Sequence, residues 1–118
     1  MTRERISLGN RGEQKVYEWL ISKGYTIIGR NIRYRTAEID LIASHPGGNA
    51  ISFIEVRTRQ NASLGHPLET ISARKQTNIR KAAELFLLQK KITNVAIQFD
   101  VASIVWGDDE FIYIDNAF

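Results

Sequence analysis

Hydrophobic positions repeat with two different periods along this 118-residue chain, and the changes of period mark seven elements. Apolar residues three and four positions apart predict two helices, over residues 9–24 and 68–91. Short apolar or alternating runs predict five strands, which cover residues 25–35, 36–44, 50–60, 94–106 and 111–115. A helix between the third and fourth strands permits a parallel crossover. We therefore expect a single α/β domain over residues 1–118, with a mixed β-sheet and the order αβββαββ.

The second and third predicted strands are joined by "HPGGN", whose glycines and proline are typical of a tight hairpin turn. Side chains alternate between the two faces of a strand, so Glu38 and Asp40 share one face of the second strand. By the same rule, Glu55 and Arg57 share a face of the third strand. If the hairpin pairs these strands, Asp40 and Glu55 can lie near each other on one side of the sheet, and the register decides whether they do.

Charged residues stand where the hydrophobic pattern favours apolar ones, in the stretch "FIEVRTR" of the third strand. Glu55 and Arg57 are either a partly buried ion pair without chemistry or half of a site, and the dipeptide alone leaves both open. Glu13 falls on the apolar stripe of the first helix rather than on its solvent-facing side. Three carboxylates, those of Glu13, Asp40 and Glu55, could therefore converge.

Carboxylates held close together raise one another's pKa and oppose folding unless a positive charge lies among them. The candidates are Arg57, another arginine or a hard divalent cation. Mg²⁺ is typically held by one or two carboxylates and keeps positions open for phosphate oxygens. A metal at a phosphodiester stabilises developing charge and lowers the pKa of its bound water. The chain has no cysteine and only two histidines, which makes a zinc site a poor fit.

The composition is that of an ordinary globular protein, with 43% apolar and 25% charged residues. The absence of cysteine excludes disulfides, thiolate metal sites and cysteine nucleophiles. The first residues lack the apolar segment of a secretory signal. No apolar run approaches the roughly 20 residues that a membrane-spanning helix needs. We expect a cytoplasmic protein without a membrane partner.

Positive charge is concentrated in the first three quarters of the chain. All 16 lysines and arginines lie within residues 1–91, and the remaining residues carry five acidic side chains and no basic one. This asymmetry is compatible with binding a polyanion such as nucleic acid, and equally with a solvated basic surface. The candidates for a phosphate track are Arg30, Arg33, Arg35, Arg59, Arg74, Lys75, Arg80 and Lys81.

The motifs "GEQKVYEWLISKGYTIIGRNIRYRTAEIDLIA", "FIEVRTR", "ARKQTNIRKAAELFL" and "QFDVASI" occur in this order. Together they closely resemble the small bacterial YraN-like family, UPF0102, over residues 8–115. The resemblance implies a restriction-endonuclease-like αβββαβ core, in which helices flank a central mixed sheet, close to archaeal Holliday-junction resolvases. Those enzymes use a Glu on the first helix, an Asp at a strand end, and Glu-x-Lys on the next strand.

Carried over residue by residue, the resemblance implies a site that binds Mg²⁺ or Mn²⁺. Asp40 and Glu55 would bridge the metal together with the carbonyl of Val56, and Glu13 would bind it directly or through water. Gln76, on the second helix, would orient the site; a solvated helix residue is the other interpretation of this position.

Two positions depart from the family pattern. Ala37 stands where the family usually has Gly, which implies little chemically. Arg57 stands where the superfamily has Lys. The resemblance implies that it is catalytic, together with Glu13, Asp40, Glu55 and Gln76. Arginine stays protonated, so it can stabilise a phosphate in the transition state but cannot act as a general base.

The resemblance implies a divalent-metal-dependent nuclease that hydrolyses phosphodiester bonds in DNA, including branched DNA, and that acts as a homodimer. A non-catalytic nucleic-acid-binding module that keeps the fold is the alternative. A third interpretation is an interaction protein whose basic face binds a protein partner.

Overall fold

The order of elements is the predicted one. A computed structural model describes residues 3–59, 71–105 and 111–118, and describes residues 3–10 by their backbone. The elements are α1 (Arg3–Ser22), β1 (Thr26–Arg33), β2 (Glu38–Ser44), β3 (Ala50–Arg59), α2 (Ala73–Lys90), β4 (Ala96–Val105) and β5 (Phe111–Ile114). The prediction of a mixed α/β architecture is confirmed in this part of the chain.

The five strands form one sheet in the order β1-β2-β3-β4-β5. Neighbouring strands are antiparallel except for β3 and β4, which run parallel and are joined through α2. A parallel pair needs such a crossover, because the chain must return to the same end of the sheet. The sheet is therefore mixed, and β3 lies at its centre with a fully paired neighbour at β4.

The two helices cover opposite faces of the sheet, because alternate residues of β3 contact different helices. Ile54 belongs to the cluster under α1, whereas Ile51 and Phe53 belong to the cluster under α2. The α1-side cluster consists of Val16, Leu20, Leu41, Ala43, Ile54, Ala102 and Ile104. The α2-side cluster consists of Ile39, Ile42, Ile51, Phe53, Ile79, Ala82, Ala83, Phe86 and Phe99. The molecule thus has three layers, helix, sheet and helix.

The predicted hairpin joins β2 to β3. His45 N–H donates to the Ala50 carbonyl, and Gly48 N–H donates to the His45 carbonyl. Gly47 and Gly48 have φ of 89° and 76°, in the left-handed region that glycine adopts without strain. This turn fixes the register that brings Leu41 opposite Ile54.

The helices begin at residues other than those predicted. α1 begins at Arg3, earlier than the expected residue 9, because the intervening residues are compatible with helix. α2 begins at Ala73 rather than 68, because Ser72 is its N-cap and accepts a hydrogen bond from the Lys75 N–H. Residues 60–70, between the third strand and the second helix, and residues 106–110, between the fourth and fifth strands, lie outside the described residues, and the sequence of the first of these segments predicts a polar loop up to residue 67 and that of the second a turn at Gly107–Glu110. Within the described ranges, neither helix combines the length and apolar character that crossing a bilayer requires.

Candidate functional site

The site lies at the point where β2 and β3 separate. The ladder between them runs from Ser44 opposite Ile51 to Leu41 opposite Ile54 and stops there. Beyond it, the backbone N–H of Val56 donates to Oδ2 of Asp40 at 2.7 Å. A carboxylate therefore takes the place of the carbonyl that would otherwise continue the ladder. This contact holds Asp40 at the fork between the strands, beside Glu55.

The pKa of Asp40 is raised from its ordinary value of 3.8 to about 7. Burial of the carboxyl is the largest cause and the negative charge of Glu55 the second; the hydrogen bond from Val56 opposes them. Glu13 and Glu38 raise the pKa further. Two carboxylates are thus brought together, as the strand period predicted, and the charge of Asp40 is incompletely compensated.

Glu55 points toward α2 and is paired there with a lysine. Its side chain is 9% exposed, and its Oε1 accepts from Lys75 Nζ at 2.8 Å. Arg57 lies farther from the same oxygen, with NH1 at 3.5 Å. The cation closest to Glu55 therefore comes from the first turn of α2, not from the neighbouring position on its own strand.

A cleft of about 330 Å³ opens between the start of β2 and the start of α2. Asp40 and Glu55 line it together with Arg74 and Lys75. The full lining is Thr36, Ala37, Glu38, Asp40, Glu55, Ser72, Arg74, Lys75 and Asn78. Carboxylate oxygens and cationic groups thus face one small space, which is the arrangement that a metal ion and a phosphate together require.

Glu13 lies on α1 and does not line the cleft. Its Oε1 is buried, and none of the described residues gives this atom a hydrogen bond. Burial raises the pKa of Glu13; Arg30 opposes this and Glu38 adds to it. The close packing of α1 on the sheet places Glu13 in this buried position. At the preceding residue, Gly12, an added Cβ would come within 2.8 Å of Ile104 Cδ1.

The remaining site residues predicted from the sequence are held by local contacts. The side-chain amide of Gln76 donates to the Ile71 carbonyl at 3.2 Å and is not part of the cleft lining. Val56 packs its side chain against the α1-side cluster. Arg57 is 26% exposed and interacts with Glu55 from the strand.

The eight candidates for a phosphate track do not form one surface. Arg74 and Lys75 line the cleft, and Arg35 and Lys81 are exposed. Arg80 stacks on Phe99 with its guanidinium 4.7 Å from the ring centroid, and Arg59 is buried. Of the other two, Arg30 stacks on Tyr17, and Arg33 pairs with Glu38.

The donors in the cleft fit a hard divalent cation. Asp40 and Glu55 offer carboxylate oxygens, which Mg²⁺ and Mn²⁺ prefer. The pKa of Asp40 is raised, and the buried Oε1 of Glu13 receives no hydrogen bond from the described residues. Both observations indicate negative charge that the protein neutralises poorly. Within the described part of the chain, no three acidic or histidine side chains are arranged around one point for a metal. A cation there would thus depend on two carboxylates, with water or backbone oxygens completing its coordination.

The model of the uncharacterised protein family UPF0102 matches residues 12–104, a span that contains every residue of the cleft. The chain belongs to this family. The resemblance seen in the motifs is thereby confirmed at the level of the family.

Relatives within UPF0102 are similar over most of their length. The UPF0102 protein of Alkaliphilus metalliredigens is 39% identical over 113 residues, which is 95% of this chain and 97% of the relative. That of Caldicellulosiruptor saccharolyticus is 41% identical over 97 residues, with 82% and 80% covered. That of Chlorobium limicola is 43% identical over 105 residues, with 89% and 80% covered. The names of these UPF0102 proteins state no activity and no ligand.

Proposed function

We propose that this protein is a divalent-metal-dependent nuclease that hydrolyses phosphodiester bonds in DNA. Its core would be restriction-endonuclease-like, and branched DNA of the kind that Holliday-junction resolvases cleave is the substrate class that this fold favours. One observation carries the proposal: Asp40 and Glu55 meet at the fork between β2 and β3, inside a cleft lined by cations from α2.

Asp40 and Glu55, with the Val56 carbonyl, would hold Mg²⁺ or Mn²⁺. Such an ion, when bound, lowers the pKa of a coordinated water and stabilises the charge that develops on the phosphate. The protein's own part is to orient the ligands. The Val56 N–H fixes one oxygen of Asp40, and Glu13 adds to the negative potential there.

The substrate phosphate would be bound by the start of α2. Arg74 and Lys75 occupy its first turn, and the N-terminal end of a helix also attracts anions through its partial positive charge. Arg57 can stabilise negative charge on the phosphate but cannot take a proton from water. The concentration of basic residues before residue 92 adds a general attraction for DNA. A homodimer would place two such sites on the two sides of a junction.

Cleavage of a four-way junction and of a plasmid, in Mg²⁺, in Mn²⁺ and in EDTA, tests the proposal. Asp40→Ala and Glu55→Ala should each lower the metal-dependent rate by roughly 100-fold or more, as loss of a metal ligand does. Glu84→Ala removes an exposed acid from α2 and should leave the rate unchanged. A wild type without metal-dependent cleavage overturns the proposal; cleavage that survives both substitutions indicates a contaminating enzyme.

A non-catalytic nucleic-acid-binding module is the second candidate, and a specific contact favours it. Glu55 is already paired with Lys75 at 2.8 Å and approached by Arg57 at 3.5 Å, so its charge is balanced without a metal. Such a module would bind DNA equally well in EDTA and in Mg²⁺ and would cleave it in neither. Metal-dependent affinity, measured by fluorescence anisotropy of a labelled junction, would exclude this candidate.

A further inference from the structure

We infer that Lys75 is the resident cation of this site: it occupies Oε1 of Glu55 until a divalent metal displaces it, and the displaced ammonium then becomes available to phosphate. The inference rests on the proposed metal site and goes beyond it. It assigns to Lys75, on α2, the place beside Glu55 that the Glu-x-Lys motif of the resolvases gives to the position of Arg57 on the strand.

The distances favour Lys75 over Arg57. Both cations approach the same atom, Oε1 of Glu55, but Lys75 Nζ is at 2.8 Å and Arg57 NH1 at 3.5 Å. The shorter contact is a charge-assisted hydrogen bond of ordinary length. Since Glu55 is 9% exposed, this bond supplies much of the compensation for burying its charge.

The location of Lys75 also favours it over Arg57 as the cation that pairs with Glu55. It lines the cleft together with Asp40 and Glu55, whereas Arg57 is not among the residues that line it. Its side chain is 39% exposed, and its flexible stem allows the ammonium group to move while the backbone stays fixed. The residue is thus able to exchange one partner for another within the cleft.

The position of Lys75 within α2 is unfavourable for stability alone. The N-terminal end of a helix carries a partial positive charge, which disfavours cations in the first turn. The first turn of α2 nevertheless holds Arg74 and Lys75 and no acidic residue. Departures from local preference of this kind are expected where a site requires them.

Competition for one oxygen couples metal binding to phosphate binding. A divalent cation on Oε1 of Glu55 would repel the Lys75 ammonium group, which lies 2.8 Å from that oxygen, and would displace it. Metal binding therefore releases Lys75, and an anion that holds the released ammonium favours the metal-bound state. Such coupling is reciprocal by thermodynamic necessity.

Titration of metal-stripped protein with Mn²⁺ by calorimetry, without DNA, tests the competition directly. Lys75→Met removes the competing cation and should lower the Kd for Mn²⁺ about 5-fold, the equivalent of a modest ion pair. Lys75→Arg keeps the charge and should stay near the wild-type Kd. The matched control is Arg74→Met, which removes a charge from the same cleft lining and the same turn. It should change the Kd by less than about 2-fold.

The outcomes separate this inference from the proposed nuclease activity. Equal tightening by Lys75→Met and Arg74→Met would mean general electrostatics and would overturn the inference, while cleavage could still be intact. A higher Kd for Mn²⁺ in Lys75→Met would also overturn the inference, because Lys75 would then be helping Glu55 to bind the metal. Specific tightening in a protein that cleaves no nucleic acid would uphold the inference and refute the nuclease. If neither wild type nor Lys75→Met binds Mn²⁺ at millimolar concentration, the metal site and the inference fall together.

Discussion

Asp40 is the residue at which the sheet opens into a cleft. Its carboxylate accepts the Val56 N–H at 2.7 Å, so the hydrogen bond of the ladder is replaced while the buried donor remains satisfied. The replacement places a charge beside Glu55 in a partly buried position, and the pKa of Asp40 rises to about 7 as a result. A backbone carbonyl would have continued the ladder without this electrostatic cost.

The raised pKa of Asp40 makes the stability of the metal-free protein depend on pH. Between roughly pH 4 and pH 7 the folded state keeps a proton that the unfolded chain releases. This carboxyl therefore destabilises the fold progressively as the pH rises through that window. Asp40→Asn removes the charge and keeps an oxygen for the Val56 N–H.

At pH 8 in EDTA, Asp40→Asn should gain on the order of 2 kcal/mol over the wild type, after allowance for solvent screening. The gain should vanish below about pH 4, where the unfolded chain is protonated as well. Urea unfolding of both proteins across this range measures it. Added Mg²⁺ should stabilise only the wild type. A difference that does not change with pH would contradict a buried, charge-coupled Asp40.

At the residue scale, the two carboxylates of the site were predicted from the sequence. Lys75 was not predicted as the cation that pairs with Glu55. The period-2 rule and the hairpin showed that Asp40 and Glu55 could lie near each other, and the register seen in the structure decided that they do. Lys75 was predicted only as one of eight candidates for a phosphate track, without a contact to Glu55. Its contact with Glu55 spans 20 residues and depends on the geometry of the crossover, which hydrophobic periodicity does not encode.

At the scale of elements, periodicity located every helix and strand in the described chain, and the errors were confined to their ends. The first turn of a helix makes no internal hydrogen bond through its N–H groups, so the hydrophobic pattern marks the start of a helix poorly. Ser72 fixes the start of α2 through its side chain. Along β2, Leu41 and Ala43 pack in the α1-side cluster, but Ile39 packs in the α2-side cluster, which departs from the alternation of a regular strand. Ile39 lies where β2 has left β3, and a strand freed on one side can twist.

Asp100 joins β4, β5 and the C-terminal segment. It is 1% exposed and accepts hydrogen bonds from the Tyr113 hydroxyl, the Gln98 amide and the Asn116 N–H. Burial of the Tyr113 hydroxyl is the largest cause of its raised pKa and the negative charge of Asp100 the second, so that hydroxyl stays protonated and donates. The segment beyond β5 is held further by Phe118, which stacks on Phe99 at 5.4 Å.

Asp100→Ala should destabilise the protein by about 3 kcal/mol, since it removes the buried acceptor of three hydrogen bonds and leaves a cavity. The expected fall in Tm is on the order of 10 °C, measured by circular dichroism. Asp115→Ala, at an exposed acid close to the same segment, should change stability by less than about 0.5 kcal/mol. Similar losses in both variants would mean that the charge of this end, and not the hydrogen bonds of Asp100, stabilises it.

At the scale of the whole molecule, the two faces of the sheet differ in what they carry. The α1 side carries a tightly packed core, in which Val16, Leu20, Leu41 and Ala102 are fully buried. The α2 side carries the second core and, at one end of it, the cleft with its carboxylates and cations. Because β3 contributes Ile54 to one layer and Glu55 to the other, the central strand fixes the site rigidly to the core.

The charge distribution predicts how DNA affinity responds to salt. Each phosphate contact releases counterions, so the logarithm of the affinity should fall linearly with the logarithm of the salt concentration. Arg74, exposed in the cleft lining, should contribute one such contact. Arg74→Ala should therefore reduce the slope by about 0.9, measured by fluorescence anisotropy in EDTA. Arg80→Ala is the control on the same helix, because its guanidinium stacks on Phe99 and Phe118, and it should leave the slope unchanged. An affinity independent of salt in the wild type would favour a protein partner over nucleic acid for the basic surface.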